Sequence, residues 1–562
     1  MTSLALLGFP LVVFVLFARL PAGPALIWSV LLSHLLLPER VAFDFTGVPP
    51  MDKISIPAIA MTLAALAFAG AGAAARRGGA ATATGTPATT GDPLFRKTMW
   101  GLMGLLVLSP ALSVMANPDT LRFGVRTIQG LTYWDVVSQV ADKAWLLVPF
   151  FLARRFLATP EMHRRILATL VVAVVAYSAL ILIEVRLSPQ LHNWVYGYHQ
   201  HSFAQHIRGG GFRPKVFLRH GLWVGILLFM AVIAAAGLWR ALREGAVTAE
   251  ARDRAARTLV AGLWLLGVLV VSRNLAATLL ALFVLPVILL PLRWQTRFAA
   301  VVAGVFLLYP MVRQTGLVPT ERLIEMSARI SEDRAASLAF RFDNEDLLLE
   351  RAAERPMLGW GGWGRGRVYD EKGLDISTTD GVWVIVLGNN GWVGYVAFFG
   401  LLAVPVLFLG RVRRRKEVPR ETAALALIMA GTFIYLIPNS ALSPIGWLIA
   451  GALAGFVQFD TAGAAVPAAA SAGRGAGRRR RYSRFDDEEP AGGLARAPAR
   501  APARAPAGSP VGAPAGPPAA TAAVADPGAP GAARAARTGA PEAGSGSRRQ
   551  FSRFQTVRES TP

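Results

Sequence analysis

The stretch 165–240 reads RILATLVVAVVAYSALILIEVRLSPQLHNWVYGYHQHSFAQHIRGGGFRPKVFLRHGLWVGILLFMAVIAAAGLWR. Two apolar runs, each long enough to cross a bilayer's hydrocarbon core, enclose a polar segment. That alternation predicts an all-α polytopic membrane bundle. The enclosed segment carries five of the seven histidines: His192, His199, His201, His206 and His220. It also holds Arg208, Arg213, Lys215, Arg219, the glycine run 209–211, and Trp194, Tyr196, Tyr198, Phe203 and Phe212. Glycine lets a backbone approach a ligand closely. Arginine forks fit phosphate or carboxylate oxygens two at a time. Aromatic faces suit sugar rings. The segment therefore reads as a membrane-surface site for an anionic, sugar-bearing ligand.

The rest of the chain agrees. Over 562 residues it is 53% hydrophobic and 17% charged, with mean hydropathy +0.43. A soluble chain of that length needs more polar surface. Apolar runs place helices near 3–19, 24–38, 54–75, 98–116, 141–158, 165–186, 215–238, 258–272, 274–291, 298–312, 381–409, 421–437 and 443–459, about 12–13 spans. No basic segment precedes the apolar run 3–17, so it reads as a span rather than a cleaved leader. The chain has no cysteine, which excludes disulfides, thiolate metal sites and a cysteine nucleophile.

The formal net charge of +23 does not point to nucleic acid, because the basic residues gather in short loops and a C-terminal tail. Arg76, Arg77, Arg96 and Lys97; Arg154, Arg155, Arg164 and Arg165; Arg240, Arg243, Arg252, Arg254 and Arg257; Arg293 and Arg297; and Arg411, Arg413, Arg414, Arg415 and Lys416 all fall on one side of this array. By the lysine and arginine bias that side is cytoplasmic, and 187–214 and 313–380 face outward. The small-residue segment 76–95 reads as a flexible linker. From 461 onward Pro, Ala, Gly and Arg dominate, a disordered tail in which the arginines of 478–481 either meet anionic lipid or stay solvated.

The second outer segment has helical signals at 320–330 and at 344–354, the latter starting on Asp343 or Asn344 and stopped by Pro356. Arg208, Arg213, Arg219, Arg273, Arg334, Arg341, Arg351, Arg355, Arg365 and Arg367 lie outside the cytoplasmic clusters. Each either pairs with a carboxylate such as Glu332, Asp333, Asp343, Glu345 or Glu354, or joins others on a diphosphate. Arg273 lies between two spans, where a charge either has a functional partner or snorkels to the interface. Asp380 reads as a general base with a raised pKa or as the N-cap of the helix that follows, with Asp370, Glu371 and Asp375 as competitors. His220 reads as an acid/base group or a helix cap. Glu184 is expected to pair with Arg186. A zinc site on His199, His201 and His206 is the weaker reading, since no acidic residue is near and arginines flank it.

The order FRPKVFLRHG (212–221), SRN (272–274), Arg334-x-x-Ser337-x-x-x-Arg341, ERPMLGWGGWG (354–364) and LGNNGWVGY (387–395) resembles the O-antigen ligase and polymerase family of bacterial envelope proteins, over about 165–410. The resemblance implies an inner-membrane glycosyltransferase that needs no metal or other cofactor. Its donor is a polyprenyl-diphosphate-linked saccharide on the outer face, and its acceptor a glycan or a lipid. It assigns the diphosphate to Arg213, Arg341 and Arg355. Ligases place a histidine where this chain has Asp380, which turns the expectation toward a polymerase or another acceptor. The alternatives are a flippase of the same lipid and a scaffold whose tail recruits partners.

Overall fold

The computed structural model describes residues 1–44, 49–77, 92–201, 203–208, 210–245, 247–329, 331–413 and 417–459, without the side chains of 69–77, Ala204, Arg208, Asp333 and Arg334. The expectations for most of the 76–95 linker, for Arg414, Arg415 and Lys416, and for the tail with its arginine run lie outside the described residues. So do those for the side chains of Arg76, Arg77, Arg208 and Arg334.

Sixteen helices follow in chain order: α1 Thr2–Arg19, α2 Ala22–Leu36, α3 Ser55–Arg77, α4 Pro93–Met115, α5 Tyr133–Phe156, α6 Pro160–Leu187, α7 Leu191–Tyr196, α8 Gly221–Glu244, α9 Ala249–Val271, α10 Leu275–Leu289, α11 Leu292–Gln314, α12 Thr320–Ala328, α13 Glu332–Ala353, α14 Val382–Val412, α15 Arg420–Leu436 and α16 Pro444–Gln458. Three two-stranded antiparallel hairpins sit between helices: β1 Ala42–Phe43 with β2 Met51–Asp52, β3 Leu121–Phe123 with β4 Arg126–Ile128, and β5 Ile207–Arg208 with β6 Gly211–Phe212. Among the described residues, eight helices are long and apolar enough to cross a membrane. The fold is thus the expected all-α polytopic bundle, and each apolar run read from the sequence falls on a helix.

Helices α8, α15 and α16 are buried on nearly every face and form the centre with α14. Peripheral helices instead expose apolar side chains: Leu4, Leu7 and Leu11 on α1, Leu263 and Trp264 on α9, Leu279, Leu282 and Phe283 on α10, Val301, Val305 and Leu308 on α11. Such a surface fits lipid rather than water. Small residues let backbones close up where lipid gives no hydrophobic drive. A Cβ on Gly451 would lie 2.2 Å from the Phe150 carbonyl oxygen, and one on Gly455 2.4 Å from that of Arg154, so α16 lies directly on α5.

The boundaries move for local reasons. Helix α5 begins at Tyr133, eight residues before its expected start, because Thr132 and Asp135 form a capping box. Helix α8 begins at Gly221 rather than 215, because the backbone N–H groups of Lys215 and Val216 donate to Glu184 (2.8 and 2.7 Å) instead of entering a helix. Glu184 is fully buried and also accepts from the Leu191 N–H, which replaces the expected pairing with Arg186. Helix α13 begins at Glu332, not near 344. Asn344 caps nothing there: its Nδ2 donates to the Phe340 carbonyl and its Oδ1 accepts from the Thr378 N–H.

One helix is broken. Inside α14, Gly391 takes φ 62°, ψ −168°, a region open in practice only to glycine. The segment 356–361 fills the gap. Trp360 and Gly361 donate to the carbonyls of Gly388 and Asn389 (2.9 and 2.8 Å), while Trp392 and Val393 donate to those of Pro356 and Met357 (2.8 and 3.2 Å). Every freed backbone group named here is thereby satisfied, as membrane depth demands. From α4, Ser113 donates to the Leu358 carbonyl and Asn117 to that of Gly359. The two glycine-rich motifs, far apart in sequence, are one interlocked unit.

Candidate functional site

One end of the bundle gathers the described residues of the segments 37–54, 116–132, 188–220, 272–274, 315–381 and 437–443. Contacts tie them together: Lys53 with Glu39 and the Phe217 carbonyl, Arg355 with Asp119, and Arg341 with the Pro438 carbonyl. At the other end Arg420 pairs with Glu244, and Arg154 donates to Gln458.

The structure places three of the sequence-derived candidates, Arg213, Arg341 and Asp380, at this end of the bundle, two of them in contact. The Arg213 N–H donates to the His206 carbonyl (2.8 Å). Its aliphatic stem crosses Gly221, where a Cβ would sit 2.4 Å from Arg213 Cδ. Arg341, on α13, donates to the Pro438 carbonyl (2.9 Å) and holds Asp380, with Nε 3.6 Å from Oδ2. Tyr435, on α15, donates its hydroxyl to the Leu222 carbonyl (2.9 Å) at the start of α8. Asp380 does not cap α14; the N-cap is Gly381. Burial raises the Asp380 pKa, and the Arg341 guanidinium partly opposes that rise. A half-buried carboxylate with a cation on one side is chemically suited to take a proton from a hydroxyl.

Arg273 sits in the turn between α9 and α10 at φ 58°, with its guanidinium against Gly211, where a Cβ would lie 2.5 Å from it. It thereby reaches the 206–220 loop from a separate helix pair. The Arg208 side chain lies outside the described residues.

His220 is the N-cap of α8: its Nδ1 accepts from the Leu222 N–H (3.1 Å). Its ring lies 4.7 Å from that of His201 and 4.8 Å from that of His206, and ligand atoms of all three lie within 4.8 Å of one another. Burial, with repulsion from Lys215, His201 and Arg213, pushes His206 down to about 3. His220 is held far below the usual imidazole range, again mainly by burial. Lys215 falls to about 8 through burial, although Glu184 opposes the shift. His199 stays outside this group, edge-on to the Phe203 ring. His192 is spent on structure, bonded to the Tyr198 carbonyl and the Glu39 N–H.

Arg355 belongs to another cluster. It donates to the Ala116 carbonyl, to Asn117 and to the Asp119 carboxylate, and its guanidinium lies 4.4 Å from the Trp360 ring. Fully buried Arg365 shares Asp119 and adds the carbonyls of Asp119 and Gln129. Burial alone would raise the Asp119 pKa; a backbone N–H with Arg355 and Arg365 outweighs it and holds the carboxyl low. Arg351 pairs with Glu354, and Arg367 with Asp375. The sequence reading had passed over the 116–132 segment. Its Asn-Pro-Asp start and the glycines flanking β3 and β4 are turn signals that mark it.

No family model, no curated protein and no solved structure matches the chain.

Proposed function

We propose that this protein is a membrane glycosyltransferase of envelope or exopolysaccharide assembly, using a polyprenyl-diphosphate-linked saccharide. The observation that carries the reading is the pairing of Arg341 with Asp380, brought from two separate segments to the end of an apolar bundle that also carries the Arg213 loop. Two guanidiniums supply the charge to steady a diphosphate leaving group in place. Asp380 takes the acceptor hydroxyl's proton as the glycosidic bond to the donor sugar forms and the bond to diphosphate breaks. The polyprenyl chain rests on the neighbouring helices, so the reaction centre belongs at the membrane surface. We assign this face to the outside of the inner membrane and the C-terminal tail to the cytoplasm, from the basic clusters at the other end. The resemblance to the O-antigen ligase and polymerase family points the same way. Asp380, at a place where ligases carry histidine, favours polymerisation over ligation to a lipid.

A flippase for the same lipid is the second reading. The break in α14 favours it, because discontinuous helices mark many transporter sites. Against it, the segment 356–361 fills that break. Cells lacking the protein separate the two. A transferase predicts lipid-linked saccharide accumulating on the outer face, open to an impermeant glycosidase. A flippase predicts accumulation on the inner face. Unchanged lipid-linked pools would overturn both. Sidedness is checked by cysteines placed at exposed Lys372 and at Ser509: an impermeant thiol reagent should label the first in intact cells and not the second.

A further inference from the structure

We infer that His201, His206 and His220 form a binding site for a nitrogen-preferring divalent transition metal, zinc or a chemical relative, which clamps the 201–220 loop to the start of α8. The inference goes beyond the glycosyl-transfer reading and does not depend on it.

Three observations carry it. First, the ligand atoms of the three side chains lie within 4.8 Å of one another, drawn from the loop, from a turn of helix before β5 and from the α8 cap. Second, His206 is fully buried, and among the described residues neither of its ring nitrogens has a hydrogen-bond partner. A buried imidazole normally places both nitrogens. His206 instead faces two other imidazoles, with ring centroids 5.6 Å (His201) and 4.8 Å (His220) away. Third, all the donors are imidazole, a ligand set suited to zinc, copper, nickel or cobalt rather than magnesium or calcium. Three histidines around zinc leave a fourth position open.

Geometry asks for a modest adjustment. Metal–nitrogen bonds of about 2.0–2.1 Å place tetrahedral ligand atoms about 3.3 Å apart, so ring rotations must close the remaining gap. His220 must also change its proton. Its Nδ1 accepts from the Leu222 N–H, which leaves the hydrogen on Nε2. To ligate through Nε2, the ring moves that hydrogen to Nδ1 and gives up the cap bond, exchanging one hydrogen bond for one coordinate bond. Arg213 and Lys215 oppose a cation, and their charge favours an anionic occupant of the open position. Lys215 is partly offset by Glu184. This arrangement differs from the weaker one read in the sequence, where His199 stood in place of His220.

The clamp would hold the Arg213 backbone as well, since the Arg213 N–H donates to the His206 carbonyl.

The test uses the full chain, purified in detergent through an affinity tag that contains no histidine, and cobalt(II) as the probe. The expected result is one equivalent bound, with the intense visible absorption of a four-coordinate cobalt site and a higher unfolding midpoint. His206→Gln and His220→Asn should each abolish both effects, while His199→Gln keeps them. Asparagine is a good N-cap, so His220→Asn keeps the start of α8 and remains informative if His206→Gln fails to fold. Absence of cobalt binding to the wild-type chain, or binding that survives both substitutions, overturns the site. The readouts are metal content, spectrum and midpoint, so a negative result leaves the transferase reading standing.

Discussion

Two arginine-bearing regions share one end of this bundle, and they use their cations differently. In 351–375, Arg351, Arg355, Arg365 and Arg367 each hold a carboxylate, and fully buried Arg365 adds two backbone carbonyls. In 206–220 and the turn beside it, Arg213 and Arg273 are positioned by close approach over Gly221 and Gly211, next to imidazoles kept neutral by burial. A sequence counts these arginines alike. The structure separates them by place: the first set fastens the β3–β4 hairpin and the 356–361 segment, and the second lies along the 206–221 loop, with Arg341 and Asp380 paired at the same end of the bundle. Substitutions in the first region should therefore act on stability, and, under the proposed transfer, those in the second on turnover.

Gly391→Ala should do the most damage. A Cβ there would lie 2.3 Å from the Met357 backbone and would force alanine into a glycine-only conformation. Strain and overpacking together cost about 3 kcal/mol or more, so folded protein should fall sharply in detergent-extracted membranes. A well-expressed alanine variant would dissolve the interlock between the two motifs. In the other region, Asp380→Asn should lower turnover by roughly two to four orders of magnitude at equal protein level. The N-cap of α14 is Gly381, so little stability should change. An asparagine variant within threefold of wild type would remove the base. Asp119→Ala strips buried Arg365 of its carboxylate. Because Asp119 itself is 41% exposed, the expected loss is about 2 kcal/mol, below that of a fully buried pair, read as a lower unfolding midpoint with turnover per folded molecule unchanged.

The transmembrane helices were legible because hydropathy is a local property, and a run of apolar residues reports itself. Their ends were less so. Helix α5 starts early at Tyr133 because of a capping box, while α13 runs from Glu332 straight through Asn344, whose side chain bonds Phe340 and Thr378 instead of capping. The break in α14 is invisible to hydropathy, although Asn390–Gly391 is a turn-forming pair that hinted at it. The site was half legible. Residue types named Arg213, Arg341 and Asp380, but only three-dimensional proximity showed that Arg341 meets Asp380 while Arg355 meets Asp119. Tyr435 carried no signal, being one aromatic residue in an apolar helix. The grouping of His220 with His201 and His206 was not legible, because His220 lies fourteen residues beyond His206 in the chain.

Arg213→Lys sharpens the same contrast at a smaller scale. Lysine keeps the charge but offers a point ammonium in place of a planar fork, so donor use should fall by roughly tenfold or more with the unfolding midpoint unchanged. Equal activity would move Arg213 out of the site.

The smallest effect is a shift rather than a loss, and it tests the pairing of Arg341 with Asp380 directly. Under the proposed transfer a base at Asp380 works only as a carboxylate, so kcat/KM should fall as pH drops through the Asp380 pKa, which burial sets above the ordinary value. Arg341, 3.6 Å away, favours the charged form and restrains that rise. Arg341→Gln removes the restraint. The Asp380 pKa then climbs further, and the acidic limb of the profile should move to higher pH. Arg341→Lys, which keeps a cation nearby, should move it less. The height of the profile will fall in both variants if Arg341 also holds the diphosphate, but height and position are separate readouts. A limb that stays in place in Arg341→Gln, while Asp380→Asn abolishes activity, would keep Asp380 as the base and break its link to Arg341. A limb that moves to lower pH would mean that another group titrates, and the contrast between the two arginine regions would then lose its catalytic half.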